Sequence, residues 1–213
     1  MQAKYRVLLA AAFVAMVLPR AAAAVDEAAG QERLGLRAGY LATADGLNDT
    51  YGDGWDITIF FTERLVSRIL LDVRLGAMYF GDAPIPDNPE LILFAPGTYS
   101  QMRFFYFSAG PLAGFRMGNS YSGYLSLGIG IYTVSMGFTS SISGYDYSDQ
   151  HIGYNGGAGM AWRIASNWSV ELNGTVHYFT VDQNLSDLYW IFTDGADSPL
   201  VLGIALGVTV DLR

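Results

Sequence analysis

From Leu202 to Arg213 the chain alternates strictly: Leu202, Ile204, Leu206, Val208, Val210 and Leu212 are separated by Gly203, Ala205, Gly207, Thr209, Asp211 and Arg213. A period of two is the signature of a strand whose faces meet different surroundings. The same pattern recurs at 33–42, 55–62, 69–80, 102–117, 123–136, 152–164 and 168–181. In RLGLRAGYLA, Leu34, Leu36, Ala38 and Tyr40 oppose Gly35, Arg37 and Gly39; in WDITIFFT, Trp55, Ile57, Ile59 and Phe61 oppose Asp56, Thr58 and Thr62. In ILLDVRLGAMYF, Ile69, Leu71, Val73, Leu75, Ala77 and Tyr79 oppose Asp72, Arg74 and Gly76. The stretch at 102–117 sets Phe105, Phe107, Ala109, Ala113 and Phe115 against Ser108, Gly110, Gly114 and Arg116, although MRFFYF is apolar on both faces. At 123–136, Leu125, Leu127, Ile129 and Ile131 oppose Ser126, Gly128 and Gly130. At 152–164, Ile152, Tyr154, Ala158, Met160, Trp162 and Ile164 oppose Asn155, Gly157, Gly159 and Arg163; at 168–181, Trp168, Val170, Leu172, Val176 and Tyr178 oppose Ser169, Glu171, Asn173, Thr175 and His177.

About eight strands follow, joined by connections that run long, short, long, short, long, short, long. The polar stretch GFTSSISGYDYSDQH reads as one of the long loops. Those loops carry most of the acid, including Asp45, Asp49, Asp53, Asp82, Asp87, Glu90, Asp146, Asp149, Asp182, Asp187, Asp194 and Asp197, and the short turns all fall at the opposite end. A soluble meander has no reason to sort its loops by length; a barrel set in a membrane does.

The small-residue faces decide which side meets lipid. A soluble strand exposes long charged side chains, not Gly-Ala-Gly. Turned inward, the large faces would overfill a narrow eight-stranded interior and leave a poor soluble surface. Turned outward, they meet hydrocarbon, while Gly, Ser, Ala and Thr fill the lumen and the charges are hidden. Arg74 on the lipid face near the midplane would cost roughly 2–4 kcal/mol, so the register is strongly fixed. Aromatic placement agrees: Phe61, Phe115, Trp162 and Trp168 fall at the short-turn ends of their strands, and Tyr40, Trp55, Tyr79, Tyr154 and Tyr178 at the long-loop ends. Two belts of such rings are what membrane interfaces favour.

Composition sharpens this picture. Residues 1–24 read as a cleaved signal peptide: a basic MQAKYR, an apolar VLLAAAFVAMVLP too short to span a bilayer, and AAAA for cleavage. Residues 25–213 then form one barrel domain. Of the 12 basic residues, Lys4, Arg6 and Arg20 lie in the signal; nine basic and 20 acidic residues remain, a net charge of −11. This balance excludes a nucleic-acid partner. Cysteine is absent, so disulfides and thiolate metal sites are excluded. Only 15% of residues are charged, against about 25% in ordinary soluble domains.

On this pattern and loop order, residues 33–213 resemble the small eight-stranded outer-membrane β-barrels of Gram-negative bacteria, of the OmpA/OmpX type. The resemblance implies an all-β, antiparallel up-and-down transmembrane barrel with short periplasmic turns and long extracellular loops. Its implied partners are outer-membrane lipid, lipopolysaccharide and the outer-membrane assembly machinery, with the chain a monomer. Such barrels commonly end in an aromatic residue read by that machinery, whereas this chain ends Val-Asp-Leu-Arg.

The chemistry available is sparse. Arg37, Asp72, Arg74, Arg116, Arg163, Glu171 and Asp211 face inward by parity and are expected to pair, because an unpaired charge is expensive to bury. A salt-bridged plug is favoured over a gated polar path, since eight strands leave little room. His177 faces the lumen beside Glu171 and Thr175; some barrels similar to this one are lipid A deacylases or acyltransferases, but no His-x-Ser pattern accompanies it, and a structural histidine is favoured. LNDTYGDGWD lacks the bidentate acid of a calcium loop, and the glycine runs GYNGGAGMAW and LGIGIY lie within strands, so neither a metal nor a nucleotide cofactor is expected. The apolar stretches LILFAP and DLYWIF extend strands or form an entry for hydrophobic solutes, as in OmpW-like barrels. The leading expectation is a non-enzymatic outer-membrane barrel acting through its wall and loops; a narrow channel stands second and a lipid A-modifying enzyme third.

Overall fold

The computed structural model describes residues 32–44, 52–66, 69–84, 99–139, 144–179 and 200–212. Eight strands run in chain order: β1 (Arg33–Ala44), β2 (Gly54–Val66), β3 (Ile69–Pro84), β4 (Tyr99–Arg116), β5 (Tyr121–Thr139), β6 (Gly144–Arg163), β7 (Trp168–Phe179) and β8 (Leu200–Asp211). Each pairs antiparallel with the next, and β8 returns to β1, from Arg33↔Asp211 to Ala44↔Leu200, closing the barrel. Closure leaves no sheet edge along the paired lengths, which suits a sheet placed where water is absent. The architecture is the all-β up-and-down barrel expected. The signal segment and the stretches LILFAP and DLYWIF lie outside the described residues.

The alternation translates into an inside-out barrel. On β8, Leu202, Ile204, Leu206 and Val208 are between 43 and 65% exposed, whereas Val201, Ala205 and Thr209 are at most 5% exposed. Large apolar side chains thus cover the outer wall, aliphatic on most strands and phenylalanine on β4. Ala77, assigned outward, is buried all the same; its neighbours Ile57 and Phe105 are far larger and shade it. On β4, where both faces are apolar, Phe105 and Phe107 take the outer wall and Phe104, Tyr106 and Ser108 the lumen.

Two expectations are corrected. The stretch at 137–151 is not simply a loop: β5 runs to Thr139 and β6 starts at Gly144, and the two pair as far as Thr139↔Gly144. Ser, Thr, Tyr and Gln on an outer face signal a strand that has left hydrocarbon, not one that has ended. The switch is visible on the wall, where apolar Ile131 and Ile152 give way to Thr133 and Gln150, and Phe105 to Arg103. About 9–11 tilted residues cross a bilayer, and β4, β5 and β6 have 18, 19 and 20.

The lumen, second, is not filled by small residues alone. Phe60, Phe104, Tyr106, Tyr124, Tyr132 and Phe179 point inward and are buried. Glycines make the space. Gly35 lies opposite Phe60, Gly76 opposite Tyr106, and Gly159 opposite Tyr124. A Cβ built on any of these would run into the facing ring. Ring over glycine packs a narrow barrel to the density a single residue size could not reach.

At the short-turn end, the chain reverses tightly at 117–120 and 164–167. Met117 N–H donates to the Tyr121 carbonyl at 3.0 Å and Ile164 N–H to that of Trp168 at 2.9 Å.

Candidate functional site

The sequence places its charges inward, and the barrel arranges them in tiers along the axis. Nearest the short turns, Arg33 Nε donates to Asp211 Oδ1 at 2.9 Å, and Arg163 Nη2 lies 3.8 Å from Asp211 Oδ2. One tier deeper, Arg37 reaches across from β1 to Glu171 on β7, with both Nε and Nη2 at 3.0 Å from Oε2. The same carboxylate oxygen accepts from Tyr124 Oη at 3.1 Å, and Asn173 Nδ2 donates to that hydroxyl at 3.0 Å. The Arg37 guanidinium sits 3.6 Å above the Phe60 ring, a cation–π contact in a dry setting.

Arg74 occupies the middle. Its Nε donates to Asp72 Oδ2 at 2.8 Å, its Nη2 to Ser126 Oγ at 2.5 Å and its Nη1 to Asn155 Oδ1 at 3.4 Å. Arg74 and Asp72 are 2% and 3% exposed, so each charge is left with the other and with neutral dipoles. Asn155 Nδ2 then donates to Tyr132 Oη, which shares a hydrogen bond of 3.0 Å with His177 Nδ1. Alongside, Tyr106 Oη and Thr58 Oγ1 are 2.6 Å apart, and Thr58 donates to Asp56 Oδ2. The rings of Tyr106 and Tyr132 stack at 5.3 Å.

Toward the long loops an apolar layer follows, and beyond it His151 Nε2 lies 3.6 Å from Asp149 Oδ2. Leu41, Met78, Met102, Phe104, Phe179 and Val201 are fully buried in that layer, and Phe104 and Phe179 rings meet at 4.9 Å. From the turns the lumen therefore runs through charged pairs, then hydroxyls and amides, then a layer dominated by hydrocarbon. An ion entering from the turns would meet paired charges first and then the apolar layer, which offers little to replace its hydration shell.

Of the seven charges assigned to the lumen by parity, Arg37, Asp72, Arg74 and Glu171 lie within it, and Asp211 lies at its turn end. Arg116 and Arg163 do not: both side chains are exposed on the rim, where Arg116 Nε donates to the Gly118 carbonyl at 3.0 Å. Strand parity points a residue inward, but at the last pair of a strand the long arginine side chain reaches out to water. His177 is sealed in the lumen and held by Tyr132, away from Glu171, which bonds Arg37 and Tyr124 instead. Parity had the means to find Tyr106, Tyr124, Tyr132, Asn173 and Thr58, because each shares a face with residues already read as inward. Among the described residues, no three His, Cys, Asp or Glu side chains converge on a metal position.

The nine ring positions line the outer wall. Tyr40, Trp55, Tyr154 and Tyr178 are exposed at the long-loop side, with Tyr79 half-buried because Trp55 stacks on it at 4.2 Å. Trp162 and Trp168 are exposed at the turn side, with Phe61 and Phe115 half-buried. Tyr121 joins this belt by stacking on Trp162 at 6.1 Å.

No protein-family model matches the sequence, and none of the curated proteins matches it either. Solved structures do. The barrel is similar to Neisserial surface protein A (14% identity, 85% of this chain and 97% of the other, TM-score 0.55). It is similar also to a major outer membrane protein of Thermus thermophilus (15% identity, 83% and 98%, TM-score 0.53). The outer membrane enzyme PagL lies further off (15% identity, 84% and 99%, TM-score 0.34). Eight antiparallel strands closed in chain order, apolar outside and polar within, give this chain the fold of the small bacterial outer-membrane β-barrels.

Proposed function

We propose that the chain is an integral outer-membrane protein whose lumen is a sealed plug, and that it serves the cell envelope through its wall and its acidic extracellular loops, not through a pore or a catalytic centre. In this reading the first 24 residues are removed on export. The outer wall then binds membrane lipid, and the loops meet the lipopolysaccharide layer through bridging cations or contact a surface partner. The observation that carries it is the packed lumen: Arg37 paired across the buried interior with Glu171, Arg74 paired with Asp72 on its own strand, and an apolar layer of Leu41, Met78, Phe104 and Phe179 above them. His177 lends no support to acyl-transfer chemistry, since a general base must touch a nucleophile that a substrate can reach, and this ring is enclosed on all sides.

Single-channel conductance of the folded protein in a planar bilayer tests the reading. Silence is expected. Steady, sizeable openings in the wild type would sink the plug and put a narrow transport protein in its place. Lipid A mass spectra unchanged on expression are expected as well; a shift abolished by His177→Ala would replace the reading with an enzyme.

A further inference from the structure

Arginine is concentrated at one end of the barrel, beside Glu63 and Asp211. The long loops are rich in aspartate, while Arg33, Arg64, Arg116 and Arg163 all lie at the ends of strands nearest the short turns. Three of these guanidinium groups converge. A hollow at the turn end, between β1 and the reversal at 117–120, is lined by Arg33, Arg116 and Arg163 together with Ser120, Tyr121 and Ser122. One carboxylate stands beside it: Asp211 pairs with Arg33 at 2.9 Å and lies 3.8 Å from Arg163, one acid against the three guanidinium groups.

The hollow also sits at a particular height. Tyr121, one of its walls, is 54% exposed and stacks on Trp162, so it belongs to the aromatic belt of the turn side. Such rings settle at the level of lipid headgroups. Arg116 and Arg163 therefore stand where a phosphodiester would stand if its acyl chains lay on the outer wall beside Met160, Trp162 and Ile164, all exposed. Planar guanidinium forks match phosphate oxygens two at a time, and serine hydroxyls supply further donors. Basic side chains at a bilayer surface select anionic lipid.

We infer that this hollow is a binding site for the phosphate headgroup of an anionic glycerophospholipid in the leaflet facing the short turns. The inference rests on the membrane reading above and deepens it by naming a lipid class and the side chains that hold it.

Native mass spectrometry of the full chain, folded in detergent and offered phosphatidylglycerol or phosphatidylcholine, tests it. Phosphatidylglycerol adducts are expected to be retained about tenfold more than phosphatidylcholine. Arg116→Gln with Arg163→Gln should remove that preference, while Arg103→Gln, an exposed arginine at the opposite end, should leave it intact. Equal retention of the two lipids, or an unchanged preference in the double variant, overturns the site. Displacement of the lipid by millimolar inorganic phosphate would make it a site for free anion and overturn the lipid assignment. If the double variant fails to fold, Arg163→Gln alone carries the comparison. The two readings fail differently: a chain that folds yet stays out of vesicles of either lipid sinks the membrane assignment, whereas one that inserts and holds no phosphatidylglycerol sinks the hollow alone.

Discussion

Arg74 is held by Asp72, Ser126 and Asn155 with almost no solvent, so its removal leaves a carboxylate buried without compensation. We expect Arg74→Ala to destabilise the folded barrel by about 3–5 kcal/mol, measured by denaturant unfolding in vesicles. Replacing both partners, Arg74→Met with Asp72→Leu, should cost much less, because no lone charge then remains. A double variant as unstable as the single would show that the pair contributes through packing, not charge. The glycines under rings make a second case. Gly76→Val puts a side chain into the space of the Tyr106 ring and is expected to cost about 1–3 kcal/mol. Tyr106→Ala should relieve part of that cost, so the two changes together should be milder than their sum. Additive losses in that cycle would mean that Tyr106 is not what Gly76 accommodates.

Along the strands, the outer wall tells where hydrocarbon ends. On β5 the exposed Ile129 and Ile131 are followed by Thr133 and Ser135. An arginine at position 129 is expected to cost roughly 2–4 kcal/mol, and one at position 135 about 0–1 kcal/mol. Equal penalties at the two sites would mean that the band extends up the β5–β6 hairpin. The same switch explains what was legible in the sequence. The eight alternating stretches, their order and their faces could all be read from period two, because lipid outside and a packed lumen inside impose opposite demands on neighbouring residues. The hairpin extension at 137–151 could not, since once the outer face turns polar the alternation loses its apolar partner and a strand looks like a loop. The charged pairs of the lumen were legible as a set, but not as pairs. Parity places Arg37 and Glu171 on inner faces of strands that closure alone brings together, 134 positions apart in the chain. The tyrosines that complete the network share that parity, yet a tyrosine on a short strand reads equally well as part of a membrane belt until its register is known.

The molecule as a whole is polar along its axis in two respects that need not have coincided. Connections are short at the end where Arg33, Arg116 and Arg163 gather; at the end where the aspartates do, they are longer or, between β5 and β6, the strands themselves run on past the apolar band. The lumen follows the same axis, with its arginine–carboxylate pairs toward the turns and its apolar layer toward the loops. The proposed role takes one insertion of the two: turns facing the periplasm, with the arginine rim at the phospholipid leaflet, and the acidic loops outside. The absence of cysteine makes the orientation directly measurable. Asn119→Cys, in the turn between β4 and β5, should stay unlabelled when intact cells meet a membrane-impermeant maleimide and become labelled once the outer membrane is opened. Asp53→Cys, exposed just before β2, should label in intact cells. The reverse pattern would point the acidic loops at the periplasm and require the arginine rim to face the cell surface, where neither the proposed leaflet nor the proposed role of the loops could stand.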